Sequence, residues 1–245
     1  MSTDGRFVRA VAGGCLVAWA MVALTGCTGG GDGPAPGVTG PAMTVDMVRA
    51  GLLRPADVGA TWVESDVPPS TKTVVGLCAG DATATKPPVP GSPSVVVSSV
   101  KDEGDQGAQA FDQVGLVYAD AKAAGAGLDA LRVIAGACPS SASRSAQPHE
   151  ASAEAGYTES ASVSPLRSGA WSGFVMVRHK QYEVASPGTA DTAVAVLVLR
   201  NVVLVAGYAV YWVGSHTTGP NFTTDWQRLV ETVLSRVDPT RSSPG

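Results

Sequence analysis

Residues 192–211 read TAVAVLVLRNVVLVAGYAVY: two apolar, valine-rich runs separated only by Arg200 and Asn201. Valine and its β-branched relatives fit the pleated, half-buried surface of a sheet. The two-residue connection makes residues 192–199 and 202–211 an antiparallel hairpin, with Asn201 tolerating the positive φ that such turns need. Beyond the N-terminal region no stretch is more hydrophobic. The hairpin is therefore expected at the centre of an antiparallel sheet.

Working outward, residues 94–101 (SVVVSSVK), 110–118 (AFDQVGLVY) and 171–177 (WSGFVMV) add further strands. Two longer segments have the helical period instead. In the first, Asp120 caps a run in which Ala124, Leu128, Leu131, Ile134, Ala135 and Cys138 share a face, and Pro139 stops it. In the second, Thr224 or Asp225 caps a helix carrying Trp226, Leu229, Val230, Val233, Leu234 and Val237. Thr44 is placed to cap a short helix, Pro55 suits a first helical position, and Trp62 reads as a core anchor. Residues 81–93 and 139–150 read as loops. The pattern predicts an α+β domain over residues 44–238: an antiparallel β-sheet with two main helices packed on one face.

The N-terminal region has a different grammar. Arg6 and Arg9 precede an uncharged apolar run over residues 10–24, which ends in Leu24-Thr25-Gly26-Cys27. The run suits the apolar region of an export signal and is shorter than the ~20 residues of a spanning helix. The last four residues resemble the lipobox of bacterial lipoproteins, in which small residues let the extended chain enter a peptidase and the cysteine thiol takes a diacylglyceryl group. This makes residues 1–26 a signal peptide and Cys27 the site of lipidation. Two or more acyl chains hold a protein stably to a membrane where one does not. Residues 27–43, rich in Gly and Pro, form a tether with a reach of roughly 20–24 Å. Residues 239–245 are expected to be a disordered tail.

The four cysteines are then accounted for. Cys15 leaves with the signal and Cys27 carries lipid, so Cys78 and Cys138 remain as an even pair in an oxidising compartment. A disulfide between them closes a loop of about 60 residues, worth roughly 4 kcal/mol by chain entropy. The alternative is two unrelated buried thiols. A metal site fits less well, because no histidine lies near either cysteine in sequence.

Composition excludes some partners. The formal charge is −4, becoming −5 once Asp4, Arg6 and Arg9 are removed, and no basic stripe suggests nucleic acid. His149, His179 and His216 are scattered, and neither HExxH nor GxSxG occurs. No catalytic residue, metal ligand or cofactor is assigned. Trp171, Tyr208 and Trp212 lie on strands, and could line a ligand groove if one sheet face were left uncovered by helices; the alternative is that they pack the core.

Leu52-Leu53, Ala56-Asp57-Val58-Gly59, Trp62, Leu77-Cys78, Val117-Tyr118-Ala119-Asp120-Ala121, Leu128, Leu131, Ala137-Cys138-Pro139 and Asn201-Val202-Val203 together carry a family likeness. Over most of residues 45–238 the chain resembles the actinobacterial sensor-domain lipoproteins, which are similar to the extracellular domain of PknH-type receptor serine/threonine kinases. The resemblance implies an α+β fold with a cleft, stabilised by disulfides, that binds an extracellular ligand. The kinase sensor carries two disulfides and this chain can form one, which leaves open the part of the cleft a second would pin. The chain has no kinase domain, so a signal would pass through another protein.

These readings converge on a binding or sensor lipoprotein on the extracytoplasmic face of the cell membrane, without catalysis, its ligand unnamed. The alternative is an accessory or structural lipoprotein docking on an envelope protein complex. An envelope hydrolase with a noncontiguous Ser/His/Asp set ranks third.

Overall fold

The structure, a computed structural model, describes residues 40–67, 69–78, 87–102, 108–146, 155–183, 188–213 and 221–238. Cys27, the export signal, most of the tether, the tail after Asp238, His149 and His216 lie outside the described residues.

An eight-stranded antiparallel sheet forms the middle of the domain, in the order β1-β2-β3-β8-β7-β6-β5-β4. Its strands are β1 (Val63–Glu64), β2 (Ser94–Asp102), β3 (Ala108–Val117), β4 (Ser141–Arg144), β5 (Tyr157–Ser168), β6 (Trp171–Tyr182), β7 (Gly188–Leu199) and β8 (Val202–Val213). The hairpin read from residues 192–211 is β7–β8, paired from Leu199 with Val202 out to Gly188 with Val213, and it sits in the middle of the sheet. Residues 139–150, expected to be loop, contain the short strand β4, which pairs with the start of β5.

Four helices are described: α1 (Val45–Gly51), α2 (Pro55–Val58), α3 (Ala121–Ala137) and α4 (Phe222–Val237). Thr44 caps α1 and Asp120 caps α3 through side-chain oxygens that accept from Met47 N–H and Ala123 N–H. Helix α4 begins earlier than its apolar period suggested. Asn221 supplies the cap, accepting from Thr224 N–H at 3.1 Å, and Phe222 joins the helix.

The α+β class, the antiparallel sheet and the single disulfide are as the sequence predicts, but the main helices lie on opposite faces of the sheet rather than on one. Val202, Leu204, Ala206 and Tyr208 of β8 pack with Leu229, Val230, Val233 and Leu234 of α4, joined by Val48 of α1. Val203 and Val205 point the other way, into a core with Leu128, Leu131 and Ala135 of α3. The reason is visible in the sequence: a strand wet on one side alternates, whereas one covered on both sides reads as a continuous apolar run.

The β7–β8 turn fastens the ends of the domain. Arg200, not Asn201, takes the left-handed conformation, with φ at +50°. Its guanidinium donates to the Pro41 carbonyl at 2.9 Å and to buried Asp238 at 2.7 Å. Asn201 keeps its side chain for bonding: Oδ1 accepts from Met43 N–H at 2.8 Å, and Nδ2 donates to the carbonyls of Met43 and Tyr118, both at 3.0 Å. Met43, assigned to the tether from composition, is 2% exposed and belongs to the α4-side core. The ordered fold thus takes in residues before Thr44.

Candidate functional site

The aromatic residues expected to line a groove do not form one. Trp171 is 1% exposed and Tyr208 is fully buried, both in the core beneath α4, and Trp212 packs partly buried against the same core. The Tyr208 ring stacks on Phe222 with centroids 6.0 Å apart, and its hydroxyl donates to Gln109 at 2.6 Å. Helix α4 fills the space a groove would need. The residues are also separated along the sheet. Ser172, beside Trp171, pairs with Val198, whereas Tyr208 pairs with Ala193. Five residues of strand span roughly 17 Å.

The paired cysteines do meet. Cys78 and Cys138 form a disulfide with Cα atoms 5.1 Å apart, tying the end of α3 to the segment before β2. Arg178 of β6 braces it, donating to the Cys78 carbonyl at 2.9 Å with buried Glu159 3.7 Å away.

His179 approaches Asp191 across β6 and β7, Nδ1 to Oδ1 2.6 Å, with the imidazole half exposed. Ser160 stands opposite His179 in register. Among the described residues no serine hydroxyl bonds that ring, and no group of three or more His, Cys, Asp or Glu is arranged to hold a metal ion.

A concave feature lies elsewhere, between residues 90–92 and one flank of α3. It is a cleft of about 410 Å³ whose walls include Pro90, Gly91, Tyr118, Ala123, Ala126 and Ala130. Tyr118, the first residue after β3, forms its floor. The Tyr118 hydroxyl donates to the Pro90 carbonyl at 2.9 Å, holding the loop down. Burial pushes this hydroxyl up to about 12, so it stays a neutral donor. Gly127 is what lets the ring lie against the helix: a Cβ there would sit 2.3 Å from the Tyr118 oxygen. Gly91, at φ +69°, turns the loop over the ring.

Sequence reasoning did not find this cleft. The signal available was the row of small residues at positions 123, 126, 127 and 130, spaced three and four apart and flanking the bulky buried stripe. Among the described residues no helix is long and apolar enough to cross a membrane.

An antiparallel sheet covered on both faces, stapled by one disulfide and bearing a small apolar cleft at one end, defines a disulfide-braced α+β domain. Its fold is similar to that in the crystal structure of the extracellular domain of PknH from Mycobacterium tuberculosis. The two superpose with a TM-score of 0.51 at 15% sequence identity, over 81% of this chain and 98% of the other. No protein-family model matches the chain, and no curated protein matches it.

Proposed function

We propose that this protein is a lipoprotein, anchored through Cys27 to the extracytoplasmic face of a membrane, whose folded domain binds a ligand without catalysing a reaction. The observation that carries the reading is the fold, similar to that of the extracellular domain of PknH. The Cys78–Cys138 bridge supports an oxidising compartment. The exposed His179–Asp191 pair, with no serine on its ring among the described residues, gives no support to a Ser/His/Asp hydrolase.

Two measurements on the chain expressed from its own signal test this. Mass spectrometry of the N-terminal peptide is expected to show diacylglyceryl Cys27, and an unmodified Cys27 overturns the anchor. A fluorophosphonate probe is expected to label no serine; stoichiometric labelling lost in His179→Ala would make the protein an enzyme.

The accessory-lipoprotein reading draws on a different observation. β4 covers only residues 157–160 of β5, and residues 162–165 beyond it are exposed, which leaves a strand edge that another chain could extend. A stoichiometric crosslinked partner at Ser164 would favour it.

A further inference from the structure

We propose that the cleft between residues 90–92 and α3 takes an acyl chain of a membrane lipid. The inference deepens the binding reading above and rests on the anchor at Cys27 for its setting.

The lining selects the class of ligand. Among the described residues no charged side chain lines the cleft; the Tyr118 hydroxyl is already bonded to Pro90, and Ser92 supplies the other side-chain hydroxyl. A ligand with charge or many polar groups would lose its hydration there and find few partners in exchange. Hydrocarbon loses nothing by leaving water and gains contact with alanine methyls, proline and an aromatic ring. A volume of about 410 Å³ is within the range of small-ligand sites.

The placement selects the source. Tyr118 receives a hydrogen bond on its carbonyl from Asn201 and gives its N–H to the Asn201 carbonyl at 2.8 Å. The same Asn201 side chain holds Met43, where the chain joins the fold. Ser94, two residues after the loop that walls the cleft, pairs with Val117, and Val117 pairs with Val202. The cleft and the arriving chain are thus at one end of the sheet, both fastened to one side chain. Thirteen Cα–Cα steps join Cys27 to Gly40, so the anchor lies at most about 47 Å of chain from the fold. An anchor at Cys27 keeps that end within reach of lipid.

The test uses the full chain, extracted from membranes and reconstituted into phosphatidylethanolamine–phosphatidylglycerol vesicles carrying a phosphatidylcholine with a diazirine on its acyl chain. Trypsin cuts after Lys122 and Arg132, so peptide 123–132 carries the helical wall of the cleft. Irradiation is expected to put an acyl adduct on this peptide. Ala126→Trp, a change at an exposed helix position, is expected to cut the adduct about tenfold or more, while Val133→Trp outside the cleft leaves it in place. Helical content and the disulfide are checked in each variant. No adduct on 123–132, or one that Ala126→Trp leaves unchanged, overturns the proposal. So does a protein-sized adduct, without acyl adduct, on a photoreactive residue placed at Ala130 in cells. The mass of the Cys27 peptide reads the anchor separately: adduct on 123–132 with Cys27 unmodified would sink the anchor and leave the cleft assignment standing.

Discussion

The Asn201 carboxamide grips the Met43 backbone at both ends, accepting its N–H at 2.8 Å and donating to its carbonyl at 3.0 Å, as a neighbouring strand would. The remaining amide proton goes to the Tyr118 carbonyl. All of this is buried, so removing the side chain strands three backbone groups away from water. Asn201→Ala is expected to cost about 3 kcal/mol or more, measured by urea unfolding. Asn201→Asp fills the same space yet is expected to be no better, because a carboxylate faces two carbonyl oxygens it cannot donate to. A loss under about 0.5 kcal/mol in the alanine variant would show that the turn does not fasten the arriving chain.

The disulfide holds an element that the sheet alone holds on one side. Helix α3 buries Ala124, Leu128, Leu131 and Ala135 on one face only, and it contains Gly125, Gly127 and Gly136. Gly in a helix costs up to about 1 kcal/mol relative to Ala. Replacing Cys78 and Cys138 together by Ser is expected to lower stability by about 2–4 kcal/mol and to expose α3 first. Hydrogen exchange checks the order: amides of residues 128–137 should lose protection before those of β7 and β8.

What could be read from the sequence divides along a physical line. Local chemistry was legible: the caps at Thr44 and Asp120, Pro55 at the start of α2, the β7–β8 pairing, and the cysteine pair each depend on a few neighbouring residues or on simple counting. The side on which each helix packs was not legible from helical period, which says that a helix has an apolar face and not which layer it meets. Tyr208 and Trp171 followed from that. Aromatic residues on strands become groove or core according to what covers them, and α4 covers these. Asn201 was misjudged in kind: in a two-residue turn it draws attention for its backbone, whereas Arg200 takes the strained φ and Asn201 serves through its side chain. The cleft escaped because it is made of what is missing. Alanine and glycine at 123, 126, 127 and 130 carry no chemistry until Tyr118 and residues 90–92 stand opposite them.

Gly127 and Tyr118 form a size lock. A methyl at 127 would lie 2.3 Å from the Tyr118 oxygen and 2.6 Å from its ring carbon, and the ring is held between helix and loop by its bond to Pro90. Gly127→Ala is therefore expected to destabilise by about 1–3 kcal/mol, against the gain that Ala normally gives a helix. The companion change Tyr118→Leu should rescue much of that loss, whereas Tyr118→Phe, which keeps the ring carbon in place, should not. Equal behaviour of the two companions in a double-mutant cycle would show that the ring is not what Gly127 accommodates. Gly125, with nothing near its would-be Cβ, serves as the control: Gly125→Ala is expected to stabilise.

Two tyrosines set the alkaline limit of the fold. Burial raises the Tyr118 hydroxyl to about 12, and Tyr208 is raised also, by burial first and by the charge of Asp225 second. Both shifts favour the neutral form in the folded protein. Their contribution is whole below the unfolded value of about 10 and is lost as pH rises through the folded values, because the unfolded chain then releases protons the native state retains. The urea midpoint should be flat through about pH 9 and fall above about pH 10. Tyr118→Phe should blunt that fall while leaving neutral-pH stability lower only by the bond to Pro90. Tyrosinate absorbance gives a second reading: Tyr118 and Tyr208 should ionise late, together with the loss of near-ultraviolet circular dichroism. A single titration step near the ordinary value, complete before the fold is lost, would place both hydroxyls in water.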